Sequence, residues 1–552
     1  MNSNQNTVNK FLVVGSGLSA LGSIKALNKM GIVPDVFDTS IEIEQEIIEV
    51  KDRLKNLNQK DWNESDINKI LIAPGQNKKI FSIPRKTVLN SSFFYGESQG
   101  ISDIKSSGIL PPFSYALGGL AEGWGAAFLP PAKEDLHEWI YSHDEICQNF
   151  KEILKSMDVT GEKSELDSSF PLLKDDLHSL EYSNEATTLL SNLQKNNKNL
   201  NILIGKSRLL LNPIKEKFSP YFPTKLLTGR KFNFLESQRI EMQRDWHFQI
   251  HDAIYKPSNE IKLLAEEGKI NLCSGIRVTE IQPNSDNSIN VHFVIIENKK
   301  LSTASYQKVF LAAGCINTSR IILTSKKFYN TKLKVQTRGG FILPAISLKK
   351  INLPLTIKNT MPEFFIAIFD KFFSSWIHIQ ISLQNDLFEN RLNSIKDKIP
   401  FMNVVQKIKE RVFIVFVNLS SDQAGHYELQ LDSEKMSIYG PRLNTLYVKR
   451  FINPLKKLNL IFKIFSIFVK AKVLVSPFGK SNSGTFHVGG AFPMKREPKN
   501  WNETNQLGEL SDIKNLHLVD SSTFPTLPGT TIGLLSKVMA YCVTKKALKE
   551  GS

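Results

Sequence analysis

The apolar positions of this chain change period repeatedly, and each change marks an element. Lys10–Val14 is short, apolar and β-branched toward its end, the pattern of a parallel strand buried on both faces. A helix is expected from about Leu18 to Met30, and Val33–Phe37 returns to strand before Asp38 closes it. Ile41 to Lys69 is charged and helical in pattern, which predicts a surface insertion. Much further on, Trp376–Ser382 and Val412–Asn418 alternate as half-buried strands do, and Phe364–Phe369 beside them is apolar throughout. A last helix is expected over Ile532–Leu548. No uninterrupted apolar run is long enough to span a bilayer.

The turn after the first strand carries chemistry. It reads Val14-Gly15-Ser16-Gly17-Leu18-Ser19-Ala20. Gly15 and Gly17 permit a tight turn and close backbone approach to a pyrophosphate, and Ala20 is a third small residue where helix must meet strand. The helix then aims its first amides at the phosphates. Asp38 lies 21 residues after Gly17, the separation expected for a carboxylate that accepts ribose hydroxyls. An acid there favours an unphosphorylated ribose, as in FAD or NAD, over NADP.

Composition adds limits. A chain of 552 residues exceeds one ordinary core, so two intimate domains are expected. Cys147, Cys273, Cys315 and Cys542 lie far apart, with neither metal spacing nor a disulfide framework. The start, Met1-Asn2-Ser3-Asn4-Gln5-Asn6, reads as no signal peptide, so a reducing, cytoplasmic setting is expected. The net charge of +16 calls for an acidic partner. It concentrates between Arg442 and Lys472, where eight Lys/Arg and no Asp/Glu interleave with Leu, Ile and Phe. That composition suits a helix on an anionic membrane surface, or a packed helix with lysines snorkelling outward. No nucleic-acid motif accompanies the charge, so nucleic acid is not expected as a partner.

A second glycine cluster, Gly118-Gly119-Leu120-Ala121-Glu122-Gly123-Trp124-Gly125, implies backbone held close to something flat or anionic. A tryptophan among the glycines argues against a merely flexible loop. This run resembles the flavin-proximal loop of the glucose–methanol–choline (GMC) oxidoreductases, in a bacterial branch with a Gly-Gly-Leu-x-x-x-Trp-Gly pattern. Val309–Ser325 is similar to the family's second signature, a strand turning at Ala313-Gly314 into a helix, with Ser319 where proline is usual. Ile276–Ile281 resembles the strand whose Val278 backbone meets the adenine. His487-Val488-Gly489-Gly490-Ala491-Phe492-Pro493-Met494 resembles the motif whose histidine faces flavin N5, with Ala491 replacing a threonine. Asn515–Thr526 is similar to the closing strand, with Asp520 near the ribityl chain and pyrophosphate. Pro525–Thr531 then leads into the last helix. Thr530 falls among the cofactor contacts, and Thr531 stands where the family carries a second His or Asn.

The resemblance implies an α/β chain (α+β overall): a discontinuous Rossmann-like FAD-binding domain with an inserted mixed/antiparallel-sheet substrate domain. Residues 1–330 form its first part, with helical insertions at about 41–75 and 135–225. Residues 331–481 form the substrate domain, and 482–552 return to the FAD domain. The implied cofactor is non-covalent FAD. The implied reaction oxidises a CH–OH group of a sugar, glycoside or lipid-linked alcohol by hydride transfer to flavin N5, with His487 as base and Thr531 beside it. An imidazole titrating near neutral pH suits that proton. The electron acceptor stays open among oxygen, a quinone and a protein. Two alternatives stay open: a redox-neutral or desaturating FAD enzyme, which Thr531 motivates, and a peripheral membrane protein with structural FAD. The segment Arg244–Tyr255 is cysteine-rich in relatives and has none here. His247 and His251 are four apart, but no third ligand stands near them, so no metal is expected.

Overall fold

In the computed structural model of the chain, the first apolar strand is the middle of the main sheet. The structure describes residues 9–57, 61–71, 111–178, 202–212, 252–346, 361–383, 412–432, 435–442 and 487–550, and short stretches within 88–107, within 186–194 and at 250. The order in that sheet is β5 (Asn271–Cys273), β2 (Asp35–Phe37), β1 (Asn9–Val14), β8 (Lys300–Leu311), β7 (Ile289–Ile295) and β6 (Ile276–Pro283). β1 is parallel to β2 on one side and β8 on the other, which is why Leu12 and Val13 are fully buried. β8 is long enough to serve two partners on its far edge. Its first half pairs antiparallel with β7, and its end pairs parallel with β17 (Leu516–Leu518).

Helix α1 (Leu18–Lys29) follows the glycine turn, as expected. The charged stretch after Asp38 forms α2 (Gln45–Lys55) and α3 (Glu64–Leu71), joined by the Arg53–Asp66 ion pair at 2.7 Å. α4 (His143–Leu154) packs beside the C-terminal helix, and Ser142 caps it by accepting from the Glu145 amide. Pro257 opens α5 (Pro257–Glu266), and α6 (Cys315–Ser325) follows β8. The chain's last helix, α7 (Gly533–Lys549), lies along α1. Gly22 makes that close approach feasible, because a Cβ there would overlap the Lys537 carbonyl.

The second sheet is antiparallel, in the order β10 (Gly339–Ile346), β13 (Val412–Leu419), β12 (Ser375–Leu383), β11 (Phe364–Asp370) and β4 (Ile202–Lys206). The alternating runs at Trp376 and Val412 are its centre. β4 comes from the span read as a helical insertion at 135–225, so that span is helical in part only. Ile204 and Ile202 register against Ile366 and Ile368, a long-range pairing that no local pattern displays. The third sheet gathers β16 (Val488–Gly489), β9 (Lys332–Thr337), β14 (His426–Asp432), β15 (Lys435–Arg442) and β3 (Ile104–Ser107). It draws strands from three separated parts of the chain. Leu333, Val335, Leu429 and Ile438 share a buried core with Leu12, Val14 and Leu311 of the main sheet.

Among the described residues no helix is long and apolar enough to cross a membrane. The basic segment beyond Arg442 lies outside the described residues, as do His247 and His251.

Candidate active site

The sequence motifs meet at the carboxyl ends of the parallel strands, the usual ligand crevice of doubly wound sheets. Gly15 has φ +106°, and a Cβ there would lie 2.5 Å from the Ala312 carbonyl. The position therefore requires glycine twice over, for its dihedral and for its space. Gly119 Cα packs near Gly17, and the Gly118 amide donates to Ser16 Oγ at 2.8 Å. Two glycine motifs a hundred residues apart are thus one backbone-on-backbone surface. Gly15→Ala is expected to weaken dinucleotide binding at this turn by ten- to a hundredfold, equivalent to about 1–3 kcal/mol of backbone strain. Bound-nucleotide content after dialysis checks this, and full retention would contradict it.

Asp38 is buried where β2 ends. Its Oδ1 accepts from the Ser40 amide at 2.6 Å and from Ser40 Oγ at 3.1 Å. Burial pushes its carboxyl up to about 6, against the hydrogen bonds from Ser16 and Ser40. The neighbouring β6 is tied in through the Ile276 amide, which donates to the Asp38 carbonyl at 2.9 Å. Val278 lies two residues further along, its carbonyl accepting from Arg320 Nη2 at 3.0 Å.

Ala313 and Gly314 stand where β8 turns into α6. The Gly314 amide donates to Asp520 Oδ2 at 2.9 Å, Thr318 Oγ1 to the same oxygen at 2.5 Å, and the Ser522 amide to Oδ1 at 2.8 Å. Asp520 therefore spends its carboxylate on joining β17 to the start of α6. Ala20 is fully buried in α1.

His487 is placed by a zipper. The amides of Gly490, Phe492 and Met494 donate to the carbonyls of Ser521, Ser522 and Thr523 at 2.9, 2.7 and 2.9 Å. Gly489 has no room for a Cβ beside the Ser521 carbonyl. The His487 carbonyl accepts from the Arg338 amide and from Thr337 Oγ1, both at 3.3 Å. The residue is half-buried.

The Pro525–Thr531 loop is held from several sides. Gln336 Nε2 donates to the Pro525 carbonyl at 2.8 Å, and Trp139 Nε1 to Thr526 Oγ1 at 3.0 Å. The loop ends at α7, whose first turn receives no side-chain cap, and α1 begins uncapped at Gly17 as well. Two positive helix ends therefore open on the site. Thr530 and Thr531 are buried, and neither hydroxyl has a hydrogen-bond partner among the described residues. Unpaired buried hydroxyls beside uncapped helix starts fit a bound dinucleotide and its substrate.

Trp124 wedges the glycine loop against the start of α7. Its Nε1 donates to the Tyr255 carbonyl at 2.8 Å, and its ring lies against Gly533 at the start of α7. Gly125 follows it in the same turn, half-buried.

Four contributors were not visible in the sequence. Ser16 bonds the second glycine loop. Glu122 accepts from the Ser258 amide and hydroxyl at 2.9 and 2.8 Å. Lys537 and Arg338 are buried cations, Lys537 within an apolar helix and Arg338 at the end of a strand. Such cations are rare enough in cores to be a signal, but only once the stretch is known to be buried.

Asp135 sets a pH dependence near this region. It accepts from the Trp376 amide at 3.0 Å, and burial pushes its carboxyl up to about 7. The folded state keeps a proton that the unfolded chain releases near pH 4. Stability from this group is therefore full below about pH 4 and lost as pH rises to about 7. Asp135→Asn is expected to flatten that fall by roughly 1–3 kcal/mol. Urea unfolding at pH 4.5 and 7.5 measures it, and parallel curves for the two proteins would refute it.

No protein-family model and no curated protein matches the chain. Among solved structures, a crystal structure of pyridoxine 4-oxidase from Mesorbium loti is similar, with a TM-score of 0.57 at 9% sequence identity. The match covers 98% of this chain and 99% of that one. At that identity the likeness is one of fold, and over nearly its whole length this chain shares the mixed α/β architecture of that protein.

Proposed function

We propose that this chain is an FAD-dependent oxidoreductase of GMC type that oxidises a CH–OH group, with His487 taking the hydroxyl proton. The observation that carries this reading is the zipper of His487–Met494 against Ser521–Thr523, set beside two buried threonine hydroxyls without partners. The oxidase named as its structural neighbour supports an oxidoreductase.

Non-covalently bound FAD supplies the hydride acceptor, its N5. The chain's residues do the remainder. Gly15, Gly17 and the start of α1 hold the pyrophosphate, and Asp38 accepts the ribose hydroxyls. Gly118, Gly119, Gly125, Val278, Ala313, Gly314 and Thr530 complete the cradle, which Trp124 and Asp520 brace. His487 accepts the proton as the carbon–hydrogen bond breaks, and Thr531 orients the substrate oxygen. The uncapped start of α7 supplies positive potential to the same place.

The donor is a sugar, glycoside or lipid-linked alcohol, and the acceptor is oxygen, a quinone or another protein. A lipid-linked donor accords with the basic and apolar composition of residues 442–472, which suits an anionic membrane surface. Thr531 in place of a second His or Asn favours one rival, a redox-neutral or desaturating enzyme.

An anaerobic visible spectrum with a panel of alcohols, sugars and lipid extract tests the reading. Bleaching by one donor class is the expected result. A yellow protein that no donor bleaches selects the rival. A colourless protein that cannot be reconstituted with FAD overturns both.

A further inference from the structure

We infer that Arg338 makes this site a receptor for a delocalised negative charge. The inference rests on the flavoprotein reading and deepens it.

Arg338 directly follows β9 and is 3% exposed. Its Nη1 donates to the carbonyls of Gly529 and Thr530 at 2.7 and 2.5 Å. Its Nη2 reaches Asn418 Oδ1 at 3.3 Å, and Nε has no partner among the described residues. None of these acceptors is charged, and no carboxylate among the described residues pairs with the guanidinium. A buried cation without a counter-charge is costly, and carbonyl dipoles return only part of that cost. The loop it grips carries the orphan hydroxyls of Thr530 and Thr531 and leads into the uncapped start of α7.

His378, on which the Arg338 charge acts, does not share the load. His378 opposes Asn418 across β12 and β13 and is fully buried. Burial, then the Arg338 charge, push its pKa down to about 3, so it is neutral. The cation, the two hydroxyls and the helix amides are all donors, and they are assembled on one loop and the side chain that holds it. Such a set suits an anion. Two sources share that chemistry: the negative charge of a reduced flavin on its pyrimidine side, and a carboxylate or phosphate carried by the substrate.

The FAD-loaded wild type, Arg338→Gln and Arg338→Lys are titrated with sodium sulfite and, separately, with sodium acetate, followed by the flavin spectrum. Sulfite adds through sulfur to N5 and leaves negative charge on the N1 and C2 carbonyl side. Its Kd therefore reports how well charge is held there. In Arg338→Gln at least one Kd is expected to rise tenfold or more, and Arg338→Lys to stay within about threefold of wild type. Weakened sulfite with unchanged acetate assigns the charge to the ring. Weakened acetate with unchanged sulfite assigns it to an anionic substrate group. Both Kd values unchanged in Arg338→Gln, or a loaded wild type that binds neither anion, overturns the inference.

If Arg338→Gln does not hold FAD, Arg338→Lys decides. Anion affinity kept despite a lower thermal midpoint supports a charge role, and affinity lost in step with the midpoint reveals a clamp alone. If the wild type takes no FAD, the flavoprotein reading fails separately. Acetate is then read by its stabilisation of the thermal midpoint, and an equal effect on wild type and Arg338→Gln overturns the receptor too.

Discussion

His487→Ala is expected to slow anaerobic bleaching of the bound flavin by roughly 10²–10⁴-fold, the usual contribution of a positioned general base. FAD content and thermal midpoint should change little. What fixes this residue is its main chain: the carbonyl accepts from the Arg338 amide and Thr337 Oγ1, and the motif behind it is zipped to Ser521–Thr523. Alanine keeps every one of those bonds. The loss should therefore fall on the rate, with flavin affinity preserved. Rescue by added imidazole would strengthen the assignment, since a free base of the same chemistry can enter the space left behind. A variant that bleaches at the wild-type rate would remove His487 from the chemistry. A variant that is colourless would move it to cofactor binding.

The second large effect is on stability. Lys537→Ala is expected to cost about 2–4 kcal/mol, because it strands a carboxylate that is only 27% exposed. The Lys537 side chain is 1% exposed, and its Nζ donates to Glu260 Oε2 at 2.7 Å and to the Tyr255 hydroxyl at 2.9 Å. Tyr255 bonds Glu260 as well. Burial alone would raise the Glu260 carboxyl, but the charge and hydrogen bond of Lys537 hold it below the usual range. The cluster ties α7 to α5, and the Tyr255 carbonyl in turn holds the Trp124 indole beside Gly533. Urea unfolding measures the loss. Lys537→Met combined with Glu260→Gln should recover part of it, because no unpaired charge then remains. A single variant within about 1 kcal/mol of wild type would show that water or another cation replaces Lys537.

These effects fall on residues of unequal visibility. Gly15, Gly17 and Asp38 were legible because their chemistry is local: a tight turn, a close approach and a carboxylate at fixed distance along one unit. The strands at Trp376 and Val412 were legible from alternation. β4 was not, because its partner lies more than 150 residues away and its own five residues carry no distinguishing period. The third sheet was equally hidden, since β3, β9 and β16 come from three separated parts of the chain.

The sequence by itself determined the nucleotide turn and the acid that follows its second strand, which rest on spacing within a few dozen residues, where side-chain period and turn chemistry act directly. The α/β class, the return of the chain to its first domain and the candidacy of His487 came instead from the resemblance of its motifs to a family. Tertiary structure alone decided which side chains would be spent on the scaffold and which left for ligands. Asp520 is consumed by the Gly314 amide and the Thr318 hydroxyl, and Trp124 by Tyr255, whereas Thr530 and Thr531 are left unpartnered. It also brought Arg338 against Gly529 and Thr530, nearly two hundred residues downstream. Burial and long-range hydrogen bonding fix such roles, and neither quantity exists until separated segments pack together.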